Sequence, residues 1–199
     1  MSRSDTFNRS DGAIGTPSDS GSAWSVVNGT WEVSSNQARE TGGAGTFQRC
    51  VLEASTSEAE VQVTLAAVAS KQMAIAGRHS SGSNYWLCRC YGDSSLLRIY
   101  KVETGTQTFM DGYSGTVADG DVIRFRFEGN VITVYQNGTQ RIQVTDSFNS
   151  TATQYGLVEA GFTGARWDDF SITDLTPSGF PAVLPFVVSS PVDWSQTEE

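Results

Sequence analysis

The chain has 199 residues, enough to bury a two-layer core without disulfides or a metal. Its formal net charge of −9 makes nucleic acid an unfavourable partner, because an acidic surface repels a phosphate backbone. Three cysteines, Cys50, Cys88 and Cys90, are an odd number that argues against a disulfide framework. They read as small buried hydrophobes in a reducing compartment.

The apolar residues come in short bursts, and no window carries a sustained helical stripe, so the pattern predicts many short strands and little helix. Residues 5–23 read as loop. Thr30-Trp31-Glu32-Val33 is a first strand, closed by the turn Ser34-Ser35-Asn36. Thr46 to Ala54 alternates loosely. Ala59 to Val68 is the cleanest period-2 segment, with Val61, Val63 and Leu65 against Gln62, Thr64 and Ala66. Strands follow at Gln72 to His79, Asn84 to Tyr91 and Leu96 to Val102. Val122 to Phe127 and Val131 to Tyr135 flank Glu128-Gly129-Asn130. Asn137-Gly138 is a strong hairpin signal leading into Arg141 to Val144. Tyr155 to Phe162 and Trp167 to Ile172 complete about a dozen strands, a spacing that means a sandwich or barrel.

Within Asn84 to Tyr91, alternation puts Trp86, Cys88 and Cys90 on one face and Tyr85, Leu87, Arg89 and Tyr91 on the other. The first set suits a core. On the preceding strand Arg78 is out of phase with Met73 and Ile75 and is expected outside. Arg78, Tyr85, Arg89 and Tyr91 then form an outward patch, which an ordinary sheet surface with cross-strand pairs would also produce. Trp24, Trp31 and Trp167 are expected in the core or sealing an edge. The composition changes after Leu175, where prolines recur at 177, 181, 185 and 191. Proline denies residues 176–199 a central strand. They read as an extended arm displaying Phe180, Val183, Leu184, Phe186, Val187 and Trp194, separate from a domain spanning 1–175.

Catalytic signatures are sparse. Glu58-Ala59-Glu60 is the nearest approach to paired carboxylates, but Gln62 stands where a third acid is wanted, and a solvated strand start explains the pair. A catalytic triad would have to use His79, the sole histidine, which reads better as a surface residue in a turn. Gly42-Gly43-Ala44-Gly45 has no following lysine or helix and reads as a turn. Asp119, Asp121, Asp168 and Asp169 are oxygen donors that suit Ca²⁺, while turn chemistry accounts for the first pair equally well. The first seven residues hold no apolar run, so no secretory leader is expected, and Ala182 to Val188 is too short to span a bilayer.

Several segments together carry a resemblance. They are Asp5-Thr6-Phe7-Asn8-Arg9-Ser10-Asp11-Gly12, Gly29-Thr30-Trp31-Glu32-Val33, Asp119-Gly120-Asp121-Val122-Ile123-Arg124-Phe125, Thr133-Val134-Tyr135-Gln136-Asn137-Gly138, and Ala165-Arg166-Trp167-Asp168-Asp169-Phe170-Ser171-Ile172. The chain over residues 5–175 resembles concanavalin A-like lectin/glucanase domains, of the type found in minor tail and other virion proteins of tailed bacteriophages. The resemblance implies an all-β jelly-roll sandwich of two antiparallel sheets, with calcium bound in many relatives. It also implies a structural, non-enzymatic virion component, made in the host cytoplasm and released by lysis. Arg78, Tyr85, Arg89 and Tyr91 would then contact host-surface glycans, and the arm would dock on another virion protein or on a second copy in a homo-oligomer. The alternatives are a stand-alone carbohydrate-binding module and a glycoside hydrolase, the latter without its carboxylate motif.

Overall fold

The computed structural model describes residues 2–19, 21–42, 47–68, 72–159 and 164–175. These residues form sixteen strands and no helix. In chain order they are β1 (Arg3–Asp5), β2 (Gly12–Ala13), β3 (Ser25–Asn28), β4 (Trp31–Ser34), β5 (Gln37–Glu40), β6 (Gln48–Glu53), β7 (Ala59–Ala67) and β8 (Gln72–Ser81). There follow β9 (Asn84–Tyr91), β10 (Leu96–Glu103), β11 (Thr106–Ser114), β12 (Val122–Glu128), β13 (Val131–Gln136), β14 (Thr139–Thr145), β15 (Gln154–Glu159) and β16 (Arg166–Asp174).

The strands make two antiparallel sheets, as a jelly-roll sandwich requires. One sheet runs β14-β13-β12-β7-β16-β5-β4-β2, with β1 also paired to β16; the other runs β11-β10-β9-β8-β15-β6-β3. Period-2 alternation explains the layering. Ala59, Val61, Val63 and Leu65 of β7 are buried while Glu60, Gln62 and Thr64 between them are partly exposed. Val61 sits opposite Phe125 and Val63 opposite Ile123 on β12. From the second sheet Trp86, Cys88 and Cys90 enter the same core, together with Cys50 and Leu52. All three cysteines are unpaired and buried, as expected of small hydrophobes. Trp24, Trp31 and Trp167 are also core residues, with the Trp31 and Trp167 rings 5.3 Å apart.

The segment 5–23 departs from its reading as loop. β1 adds to β16, β2 adds to β4, and Phe7 and Ile14 are core residues. The buried Asp5 carboxylate is the hub. It accepts from the Phe7 amide (2.9 Å), from Trp24 Nε1 (2.8 Å) and from Arg9 Nη1 (2.6 Å). Each of its lone pairs is therefore satisfied by a donor at the sandwich end, and a polar hub can be buried there.

Of the bulges that change the phase of a strand, two bear on the core and on the outer face of the seven-stranded sheet. In β16 the register shifts between Asp168 and Ser171, and Asp169 takes φ +47°. That extra residue lets Trp167, Phe170 and Ile172 all reach the core. In β8 the register against β9 shifts between Gly77 and Ser81, and Arg78 takes φ +42°. This second bulge decides which side chains reach the outer face of the seven-stranded sheet.

Candidate functional site

Arg78 is not on the outward patch. The β8 bulge turns it into the space between the sheets, where it is 0 % exposed. Its Nε donates to the Ser57 carbonyl (3.0 Å), its Nη2 to the Gly129 carbonyl (2.8 Å) and to Glu58 Oε1 (3.1 Å), and its guanidinium lies 5.2 Å from the Phe127 ring centroid. Arg78 clamps the two sheets together at one end. His79 takes the outward phase instead, and it is a buried strand residue rather than a turn residue on the surface. Its Nδ1 lies 3.1 Å from Gln154 Oε1 and its ring 5.7 Å from that of Tyr85. Burial pushes its pKa below the ordinary histidine value, with Arg49 adding to the effect, so the ring is held neutral.

Tyr85, Arg89 and Tyr91 do share the outer face of the seven-stranded sheet. The tyrosines, however, are not an open surface: Tyr85 is 2 % and Tyr91 7 % exposed. Tyr85 and Leu87 belong to a second apolar cluster with Ala74, Ala76, Val102 and Val158, flanked by Phe47 and Tyr100. Arginine guanidinium groups stand over its rings. Arg89 stands 4.8 Å from the Tyr91 centroid, 5.2 Å from Phe47 and 5.7 Å from Tyr100. Arg98 stands 5.5 Å from Tyr91 and 5.7 Å from Phe109, which is 55 % exposed. The face is thus a tiled floor of aromatic rings and guanidinium groups crossing β9, β10 and β11.

At one end this floor opens into a cleft of 280 Å³, lined by Phe47, Arg49, Gly82, Tyr85, Val102 and Gln107, with Gly105 at its edge. The volume is close to the lower bound of small-ligand pockets, about 300 Å³. Its walls are the β8–β9 and β10–β11 hairpin tips and the start of β6. Arg49 donates from Nη1 to the Tyr85 hydroxyl at 2.9 Å, and its guanidinium lies 4.7 Å from the Tyr85 ring centroid. Asn28 fixes this corner from the edge strand β3. Its amide donates to the Phe47 carbonyl (3.2 Å) and its Oδ1 accepts the Arg49 amide (2.9 Å). Phe47 is held at φ +35°, a conformation costly for a bulky side chain.

The tyrosines along the floor are electrostatically coupled. The Tyr91 and Tyr100 hydroxyls are 3.1 Å apart. Burial, then the Tyr100 hydrogen bond, pushes Tyr91 up to about 12. For Tyr100 burial acts upward but is outweighed by the Tyr91 and Arg98 hydrogen bonds and by the charges of Arg98 and Arg89, so it falls below the ordinary tyrosine value.

The remaining predicted sites serve the fold. Glu58 and Glu60 are not a solvated strand start. Glu58 pairs with Arg78, and Glu60 pairs with Arg124 at 3.2 Å on the other sheet. Asp119 Oδ1 accepts the Val68 amide (2.6 Å). Asp121 accepts from the Ala118 amide (3.0 Å), Gln136 Nε2 (2.7 Å) and Asn137 Nδ2 (2.7 Å). Asp168 and Asp169 belong to the β16 bulge. Among the described residues no three His, Cys, Asp or Glu side chains converge as a metal site would require. The arm residues Phe180, Val183, Leu184, Phe186, Val187 and Trp194 lie outside the described residues, as does most of Gly42-Gly43-Ala44-Gly45.

Phe47, Arg49, Arg98, Tyr100, Gln107 and Phe109 were not legible as site residues. Alternation along Leu96 to Val102 would have placed Arg98 and Tyr100 beside Arg89 and Leu87, their observed partners. For Arg49 no local signal exists, because its cleft is assembled from three separate segments.

No family model and no curated protein matches the chain. Solved structures do match its fold. The carbohydrate-binding module CBM66 from Bacillus subtilis is 18% identical with TM-score 0.60, covering 76% of this chain and 92% of that one. Galectin LEC-6 of Caenorhabditis elegans is 11% identical with TM-score 0.50, covering 62% and 89%. The transglycosylase Crh5 is 12% identical with TM-score 0.60, covering 88% and 85%. The chain therefore shares the jelly-roll β-sandwich fold of these proteins. Binding proteins and enzymes share that fold, so it does not by itself assign an activity.

Proposed function

We propose that the chain is a non-catalytic carbohydrate-binding domain whose site is the outer face of the seven-stranded sheet. One observation carries this reading: an arginine-and-aromatic floor that ends in a cleft. Sugar rings present C–H faces that stack on aromatics, and hydroxyls that need fixed donors and acceptors. Phe109 and Tyr100 supply the first, and Arg49 and Gln107 supply the second. A hydrolytic reading lacks support, because Glu58 and Glu60 are both held in ion pairs away from this floor. The names of several fold neighbours agree with glycan binding.

The test is calorimetric titration of the purified chain with a panel of oligosaccharides, alongside an assay for released reducing ends. Saturable binding that Tyr100→Ala abolishes, with no release of sugar, supports the reading. Release of reducing ends, or the absence of any binding, overturns it.

A narrower reading draws on the sequence motifs. The domain is a surface component of a tailed-bacteriophage virion that contacts host glycans, with residues 176–199 docking on a neighbouring virion protein or a second copy. Its test is to delete 176–199. The truncated chain should be missing from purified particles and still bind glycan. Normal copy number in particles would overturn the anchoring role.

A further inference from the structure

The charge on the tiled floor is unusual for this protein. The chain carries 22 acidic and 13 basic residues, so a cation ordinarily has a carboxylate to pair with. Several of the described cations do. Arg3, Arg9, Arg39, Arg78, Lys101, Arg124 and Arg126 all sit in ion pairs. Arg49, Arg89, Arg98, Arg141 and Arg166 have no such pair among the described residues; Arg141 and Arg166 lie on separate strands of the nine-stranded sheet, while the other three are gathered on one face of the seven-stranded sheet. The groups acting on Arg98 are tyrosine hydroxyls, not carboxylates.

Arg49 is the extreme case. It is 7 % exposed, and its Nε has no hydrogen-bond partner among the described residues. Nη1 is held by Tyr85, while Nη2 lies 3.6 Å from where a Cβ on Gly82 would stand. A buried guanidinium without a counter-charge is costly, and an arriving anion would recover that cost. Guanidinium also matches carboxylate and phosphate oxygens through paired donors. Further along the floor Arg98 Nη1 stands 3.4 Å from the Tyr100 hydroxyl and Arg89 5.7 Å from its ring centroid.

We infer that the cleft selects an anionic saccharide, whose carboxylate or phosphate oxygens dock on Arg49 while its sugar rings extend over the floor toward Arg89, Arg98 and Phe109. This rests on the carbohydrate-binding reading above and adds the chemical class of ligand. Gly82 lines the cleft without a side chain, at a point where a Cβ would already stand in contact with Nη2. Asn28 acts as a positioning residue, because its hydrogen bonds hold Phe47 and the Arg49 backbone.

The experiment titrates the full chain with four ligands: oligogalacturonate, its methyl ester, a glycosylated glycerol-phosphate polymer, and a neutral glucan. The carboxylate and phosphate arms separate the two sources of anion. The inference expects at least one anionic ligand to bind about tenfold or more tighter than both neutral ones. Gly82→Asp places a carboxylate beside Arg49 without truncating it, and should remove that preference while leaving the melting temperature near wild type. Arg49→Met should do the same if it folds, and Gly82→Asp decides the question if it does not. Arg124→Ala, on the opposite sheet, should leave the preference unchanged. Equal binding of neutral and anionic ligands overturns the inference and leaves the carbohydrate-binding reading standing. Anionic preference that survives Gly82→Asp also overturns it. Binding of none of the four, while a wider neutral panel binds, overturns the inference alone; failure of every saccharide overturns both.

Discussion

Replacing Arg78 separates the structural arginine from the binding ones. Its side chain is 0 % exposed and donates to two main-chain carbonyls and the Glu58 carboxylate. Arg78→Ala strands all three acceptors and removes the contact with Phe127. Breaking a buried ion pair from one side costs about 3–5 kcal/mol. Glu58 keeps 19% of its side chain in solvent and can partly rehydrate, which favours the lower half of that range. A loss of about 3 kcal/mol, at a urea m-value of about 2 kcal/mol/M, moves the unfolding midpoint down by about 1.5 M. Arg78→Lys keeps a charge but loses the fork geometry, and should fall between the two. The assay is urea unfolding followed by tryptophan fluorescence, with glycan affinity measured on the folded variant. An unchanged midpoint together with lost glycan binding would refute the geometry and return Arg78 to the binding face.

Phe109→Ala should leave stability within about 0.5 kcal/mol, since the ring is exposed, yet weaken glycan binding about five- to tenfold through lost stacking, read by the same titration. Gly156→Ala should cost about 3 kcal/mol in urea unfolding, because a Cβ there would lie 2.0 Å from the Cys50 carbonyl oxygen, and that backbone belongs to the paired strand β6. Gly129→Ala, where a Cβ meets open space but φ is +56°, should cost only about 1 kcal/mol. His79 gives a pH signature. Its folded pKa lies below the ordinary value, so the unfolded chain takes up the proton first, and wild-type stability falls as pH drops below about 6.5 until the folded ring also protonates. Midpoints across that range should show this loss in wild type and its absence in His79→Gln.

The sandwich was legible wherever one face of a strand is buried and the other wet. Asn84 to Tyr91 is read with its observed bounds, and Ala59 to Val68 overshoots β7 by one residue. The Asn137-Gly138 turn takes positive φ at both positions, as its hairpin requires. β11 escaped notice because nearly all of its residues are exposed or half-exposed, so no alternation marks it. β1 and β2 escaped because two- and three-residue strands are too short to show a period.

The face assignment of Arg78 failed for one physical reason. Alternation counts residues, and a bulge inserts one without announcing it. Trp86, Cys88 and Cys90 were placed correctly because β9 from Trp86 to Tyr91 pairs without a break with Gly77 to Gln72 of β8. Arg78 was placed wrongly because it is the first residue past the break. The same shift that carries Arg78 into the sheet interface brings His79 beneath Tyr85, and so into the pocket wall's support. A bulge therefore exchanged a structural cation for a neutral ring behind the cleft. Arg49 is then the cleft's deeply buried cation, supported by one tyrosine hydroxyl and one asparagine on the edge strand. In the proposed reading, the binding face is defined less by which residues alternate outward than by where arginines without a carboxylate gather, as Arg49, Arg89 and Arg98 do on the seven-stranded sheet.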